Sequence, residues 1–261
     1  MKINRESYIS HIKDVDKQIL MRKLIDKIEI SKNKHTIEYT DFLDPYERYL
    51  AKSILNRFDE LKYIEYGGTS NSERRIIIIY PFYYDKSDID PRLSYLRITG
   101  DIQDLSHKDF LGALLGLGIN RSKVGDIQVH CTYTDIILKD ELGDFLLINF
   151  NKVSNKKISV SEISQNDLAD PSVEFKEINK FITSLRLDAI LSITYNISRQ
   201  DSINMIKSGK VKVNWEEITK PSKELDLEDV ISTKGYGRAI LHSIDGMSKK
   251  GRLLITVRIL I

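Results

Sequence analysis

The chain has 261 residues, of which 30% are charged and 41% apolar, and a net charge of only +2. This balance suits a soluble globular protein and argues against wholesale disorder, and no apolar run approaches the length of a membrane span. At about 150 residues per domain the length suits two or three small cores better than one large one; the single cysteine, Cys131, excludes an internal disulfide, and MKINRESYISHIKD has no apolar signal-peptide core, so a cytoplasmic location is expected.

Val15, Ile19, Leu20, Leu24, Ile25 and Ile28 recur at helical spacing, with Lys17, Arg22, Lys23 and Asp26 between them. A second helix opens at Asp44-Pro45, an N-cap followed by proline at the first helical position, with Tyr46, Leu50, Ile54 and Phe58 as its stripe. Neither stripe carries a constellation of catalytic groups, so both are read as core. From about residue 61 the texture turns to strands. KYIEYGG leads into ERRIIIIYPFYYD, which is apolar on both faces as a central strand would be, and RLSYLRITGDI is a further strand. At Ser106 a helix starts, with Asp109 completing a capping box and Leu105 and Phe110 a hydrophobic staple. DIQVHCTYTDIIL supplies strands, KDELGDFLLINFNK a helix and KKISVSEIS a strand, an order that suits a split-βαβ sandwich. The polar SQNDLADPSV reads as a loop within that domain or a linker out of it.

The last segment differs in build and in charge. From Arg186 onward there are 13 basic and 9 acidic residues, against 27 and 29 in the first 185, so the tail carries a net +4 and the rest −2. That sign favours a phosphate partner. SRQDSINMIKSGKVKVN, Ser198 to Asn214, predicts a short helix capped by Ser198 and Asp201 and stopped by Gly209. Ser202, Met205 and Ile206 share its inner side, and Arg199, Gln200, Asn204 and Lys207 its outer side. In the strand that follows, Val211 and Val213 point one way, and Lys210, Lys212 and Asn214 the other. An arginine at the first helical position opposes the positive end of the macrodipole. Two readings explain it: a phosphate joins the arginine at the free helix amides, or Arg199 pairs with Asp201 or Asp188 and the lysines form a solvated face.

These residues resemble a known RNA-binding module, the domain named after small-subunit ribosomal protein four, here the S-four domain. Its pattern is matched at Arg186-Leu187-Asp188, Ser198-Arg199, Ile206, Gly209, Val211, Val213-Asn214 and Asp229-Ile231. The resemblance implies RNA contacts at Arg186, Ser198, Arg199, Gln200, Lys207, Lys210, Lys212 and Asn214. Asp201 stands where a basic or neutral residue is more usual, which capping explains, and Trp215 stands where many members have glycine. With FLDPYE, EYGGTSNSERR, GLGINRSKVGDI and KGYGRA, nearly the whole chain is similar to the YlmH-type proteins of Gram-positive bacteria. This implies an α+β chain with a helical N-terminal domain (1–70), a central RRM-like α/β-plait domain (71–182) and a C-terminal S-four-type domain (183–261). In the last, two helices pack on a small sheet with a C-terminal β extension. The family is implicated in ribosome-associated quality control, on large subunits that still hold peptidyl-tRNA.

Other motifs carry less. GLGINRSKVGDI reads as a helix-to-strand connection, with Arg121 and Lys123 as additional candidates for RNA contact; its spacing is not that of a dinucleotide fingerprint. GGTS at Gly67 lacks the lysine of a phosphate-binding loop and reads as a turn. KGYGR offers Tyr236 for stacking and Arg238 for a phosphate, or both are structural. GMSKKGR is similar to a tyrosyl-tRNA synthetase signature but follows the RNA-binding pattern and has no upstream histidine-glycine partner. GRLLIT is similar to a pseudouridine synthase motif but has Leu254 where the catalytic aspartate belongs. Histidines 11, 35, 107, 130 and 242 are scattered, and His130 and Cys131 face opposite ways on a strand, with no third ligand at metal spacing. The expected protein binds ribosomal RNA and tRNA on the large subunit without catalysis, cofactor, metal or membrane. The alternatives are an rRNA- or tRNA-modifying enzyme with its site in the central domain, and a protein-interaction module acting through the N-terminal helices.

Overall fold

Two helical stripes and a run of four isoleucines build the N-terminal part. In the computed structural model, which describes residues 5–171, 174–249 and 251–261, these are α1 (Arg5–Ile9), α2 (Val15–Lys34), β1 (Glu38–Tyr39), α3 (Pro45–Leu55), β2 (Leu61–Tyr66) and β3 (Ile76–Pro81). Asp14 caps α2 through the amides of Asp16 and Lys17, and Asp44 caps α3 in a capping box with Glu47. Met21, Leu24, Ile25 and Ile28 pack with Leu50, Ile54, Phe58, Ile77 and Ile79 in one cluster. Val15 and Ile19, expected in this stripe, are 66% and 45% exposed. The inward face runs through 21, 24, 25 and 28, and the 100° helical step turns 15 and 19 to its far side.

The strand IIIIYP was expected in the central domain. It is central, but to a three-stranded antiparallel sheet of the N-terminal part, ordered β1-β3-β2. β2 pairs with it from Leu61↔Pro81 to Tyr66↔Ile76 and β1 through Glu38↔Ile79, so the N-terminal part extends through β3 rather than ending near residue 70. Burial of both faces requires two layers, and both are present. Ile77 and Ile79 face the helical cluster, while Ile76, Ile78 and Tyr80 join Phe42, Ile89 and Ile137 in a second one.

The RRM-like plait follows as β4 (Leu93–Gly100), α4 (His107–Gly116), β5 (Val124–Val129), β6 (Thr134–Lys139), α5 (Gly143–Asn149), β7 (Lys152–Val153) and β8 (Lys156–Glu162). Its antiparallel order β5-β6-β4-β8-β7 is that of a split βαβ, and the Ser106–Asp109 capping box opens α4 as expected. Leu96, Ile98, Ile136 and Leu138 pack under Phe110, Leu114 and Leu146. The other face of this sheet contributes Ile137, Leu93 and Tyr95 to the cluster containing Ile76 and Ile78. The plait is thus a three-layer assembly closed by the N-terminal sheet. The polar stretch after β8 is tied to it: Arg97 donates to the Asp167 carbonyl at 2.9 Å, and Thr69 and Asn71 donate to Asp170 at 2.7 and 2.6 Å. Of SQNDLADPSV, residues 172 and 173 lie outside the described residues.

Those elements make up one compact unit, Met1–Pro171, and the second is Ser172–Ile261. The latter comprises β9 (Phe175–Ile182), α6 (Leu187–Tyr195), α7 (Arg199–Lys207), β10 (Val211–Val213), β11 (Glu216–Glu217), β12 (Val230–Thr233), β13 (Gly237–Met247) and β14 (Leu253–Leu260). Its six strands run β11-β10-β12-β13-β14-β9, all antiparallel. Leu187, Ile190, Leu191 and Ile206 from the helices pack with Val211, Val213, Ile231, Leu241 and Val257. The boundary expected at 182/183 severs β9 from this sheet, although β9 pairs with β14 along its whole length, Phe175↔Leu260 to Ile182↔Leu253. Most side chains of β9 are exposed, so its sequence gives little apolar sign of its sheet.

Candidate nucleic-acid interface

The helix-turn-strand from Ser198 onward positions the candidate cations. The Ser198 hydroxyl accepts from the Asp201 amide at 3.0 Å and donates to the Asp201 carboxylate at 2.6 Å, which fixes the start of α7. Ser202 and Ile206 are fully buried, so Arg199, Gln200, Asn204 and Lys207 are turned outward and exposed. At Gly209 φ is +69°, in the left-handed region that glycine enters without strain, which suits the reversal into β10. Buried Val211 and Val213 then leave Lys210 and Lys212 exposed on the opposite face.

Arg199 pairs with Asp188 rather than with Asp201, which is occupied at the cap. Its Nε and Nη2 lie 3.2–3.3 Å from the two Asp188 oxygens. Arg186, at the N-cap of α6, takes the same carboxylate from the other side at 3.1 and 2.9 Å. Burial by itself would raise the Asp188 carboxyl, but hydrogen bonds and charge from both guanidinium groups outweigh it and hold it below its ordinary range. One carboxylate between two arginines leaves a net positive charge. The Asp188 side chain is 1% exposed, whereas Arg186 is 38% and Arg199 51% exposed. Each arginine is therefore anchored on its inner edge and open to solvent on its outer one, a preorganised arrangement for a phosphate. The phosphate and the carboxylate readings of Arg199 are compatible.

The remaining candidates divide. The Asn214 side chain is engaged internally: it donates to Asp229 at 2.6 Å and accepts from the Val230 amide at 2.9 Å. Gln200 donates to Asn204 on the helix surface at 3.1 Å. Tyr236 lies against Tyr195 with centroids 4.9 Å apart and remains 45% exposed. Arg238 sits over the Trp215 ring, 5.3 Å from its centroid. Arg121 and Lys123 belong to the other compact unit and are both held. Arg121 donates to the carbonyls of Val124 and Gly125, and burial together with the charge of Arg74 pushes it down to about 10. Lys123 bridges Asp41 and Glu141, each at 2.9 Å. Sequence reasoning passed over Trp215, treating it only as a departure from glycine.

In the first unit the sheet face on which RRM domains stack bases is largely covered by β3. Asp126, a buried carboxyl pushed up by burial, accepts from the Glu73 and Arg74 amides at 2.7 and 3.0 Å. That use is structural. Among the described residues no group of three histidine, cysteine or acidic side chains could hold a metal, and no helix is long and apolar enough to cross a membrane.

Comparison with known proteins matches three family models: the YlmH N-terminal model to residues 17–84, the RNA-binding domain in YlmH to 85–167, and the S4 domain to 185–231. A curated protein of Bacillus subtilis (strain 168), "Ribosome-associated protein quality control protein P2", is 30% identical over 243 residues, covering 92% of this chain and 94% of its own. The solved structure "Cell division protein ylmH from Streptococcus pneumoniae" aligns with a TM-score of 0.54 at 21% identity, over 60% of this chain and 96% of that one. At that identity it speaks to the fold alone.

Proposed function

This chain belongs to the YlmH family, and from that premise we propose that it is a non-catalytic RNA-binding protein of ribosome-associated quality control. In this reading it docks in the cytoplasm on ribosomal RNA and tRNA of large subunits carrying peptidyl-tRNA. The observation that carries the reading is the run of outward cations on one preorganised module. Arg186 and Arg199 are clamped on a buried carboxylate, and Lys207, Lys210 and Lys212 are exposed around the glycine turn. The name of the Bacillus subtilis relative, which the chain matches over nearly its full length, supports the quality-control assignment. Absence of catalysis is supported by the uses of three perturbed groups of the plait: Asp126 and Arg121 bond backbone, and Arg97 pairs with Asp135.

The test is a Lys207→Glu, Lys210→Glu, Lys212→Glu variant of the full chain. These three are exposed; Arg199 is excluded because its removal would strip Asp188 of a partner. Sedimentation with vacant and peptidyl-tRNA-loaded large subunits should show wild-type retention, strongest on loaded subunits, and loss by the variant with an unchanged circular dichroism spectrum. Undiminished retention of the variant would sink the assignment of this face. Mass spectrometry of the bound RNA should find no modification that depends on the protein.

A further inference from the structure

The hairpin between β10 and β11 has a loop of two residues, Asn214 and Trp215, between the paired Val213 and Glu216. Their φ values are +48° and +68°, which makes the loop a type I′ turn, the kind that favours Asn-Gly. Asn214 suits its place, since asparagine tolerates the left-handed region and its side chain bonds Asp229 and Val230. Trp215 does not, because a bulky side chain at positive φ is strained. The indole does not belong to the C-terminal core cluster, so core packing does not account for the strain. Strained residues cluster at ligand clamps and other functional sites.

Position narrows that function. Lys212, Ser232 and Arg238 stand directly opposite one another across β10, β12 and β13 and therefore share a face. The Arg238 guanidinium lies over the indole, so this row continues the cationic surface onto Trp215. The next strand is acidic: Glu216 and Glu217 are exposed, and Glu217 pairs across from Lys212. Carboxylates there repel a phosphate but not the uncharged face of a base.

We propose that Trp215 is a base-stacking residue. An unpaired RNA base lies against the indole, away from Arg238, while the backbone phosphates follow Lys210, Lys212 and Arg238. Stacking on an aromatic side chain binds any base by its π-face and needs no hydrogen-bond readout. The inference rests on the RNA-binding reading of this unit and specifies the group recognised. It also explains why the turn carries tryptophan when glycine would relax it.

Trp215 is the sole tryptophan of the chain, so its fluorescence reports this position alone. The full-length protein is titrated at low salt with a short oligoadenylate and with an abasic oligomer of equal length and charge. Quenching by oligoadenylate, with little by the abasic oligomer, is expected. By anisotropy of a labelled oligoadenylate, Trp215→Gly should bind about tenfold more weakly, with a thermal midpoint equal to or above that of the wild type. Equal binding by Trp215→Gly, or equal quenching by the abasic oligomer, overturns the stacking role and leaves the RNA-binding reading standing. A lowered midpoint in Trp215→Gly shows a structural role and likewise overturns the proposal. Failure of the wild type to bind either oligomer or large subunits overturns both readings.

Discussion

Arg199, the first residue of α7, donates to both carboxylate oxygens of Asp188 on α6 at 3.2–3.3 Å. The pair joins the two helices of the C-terminal unit at their N-terminal ends, with Arg186 closing the other side of the carboxylate. The element that turns two cations outward thus also ties the two helices to each other. Asp188→Asn should cost about 1–3 kcal/mol, the range for stripping charged partners of a hydrogen-bonded acceptor. Chemical denaturation of wild type and variant measures it. A cost near zero would show that the cluster contributes nothing to the fold.

The same carboxylate sets an acid limit. Its folded pKa lies below the ordinary 3.8, so its stabilisation is complete above that value and is lost as pH falls through the lower, folded one. Stability measured from pH 5 to pH 2 should fall more steeply for wild type than for Asp188→Asn. Parallel curves would rule the carboxylate out as a source of acid sensitivity.

Salt dependence distinguishes contacts one by one. Each lysine that neutralises a phosphate should contribute about 0.7–0.9 to the slope of log affinity against log salt. Replacing Lys210 or Lys212 by alanine should flatten the slope by one such step, whereas replacing Lys123, which bridges Asp41 and Glu141, should leave it unchanged. A Lys123→Ala variant with a flattened slope would draw the first unit into the RNA contact.

The C-terminal boundary is testable by truncation. A fragment of residues 174–261 keeps β9 on β14 and should unfold cooperatively. Starting at residue 183 instead removes every partner of β14 from Leu253 to Leu260 on that side and should lower the thermal midpoint or promote association through the bared edge. Identical melting of the two fragments would show that β9 is dispensable.

Contact between the N-terminal sheet side and the plait can be probed at Gly125. A Cβ there would meet the Phe42 ring at 2.7 and 2.9 Å, and Phe42 belongs to the cluster shared by the two sheets. Gly125→Ala should destabilise the first unit by about 1–3 kcal/mol through overpacking. A neutral effect in urea unfolding would mean that Phe42 swings aside freely.

Local signals were legible and long-range ones were not. The caps at Asp44, Ser106 and Ser198, and the inward Ser202, Ile206, Val211 and Val213, follow from spacing alone. The phase of α2 misled because Val15 and Ile19 are apolar yet lie off its inner face. The affiliation of IIIIYP could not be read, since an all-apolar strand announces two covered faces without naming the covers. Arg199 posed the same difficulty: Asp188 and Asp201 were both in range, and only the placement of α6 beside α7 brings the Asp188 carboxylate to it. Trp215 was overlooked because its significance lies in a backbone angle, which residue type alone does not disclose.

Shared burial between β3 and the plait has a consequence for heredity. Ile76 and Ile78 lie in the stretch matched as the N-terminal family, while Ile137 and Tyr95 lie in the stretch matched as the RNA-binding one. The two stretches are distinct in sequence but complete each other's interior, so neither can be transplanted without carrying a naked apolar face into water. A lineage that sheds the first must recolour Ile137, Leu93 and Tyr95 with polar residues or lose the second as well. The C-terminal unit builds its interior from its own helices and strands.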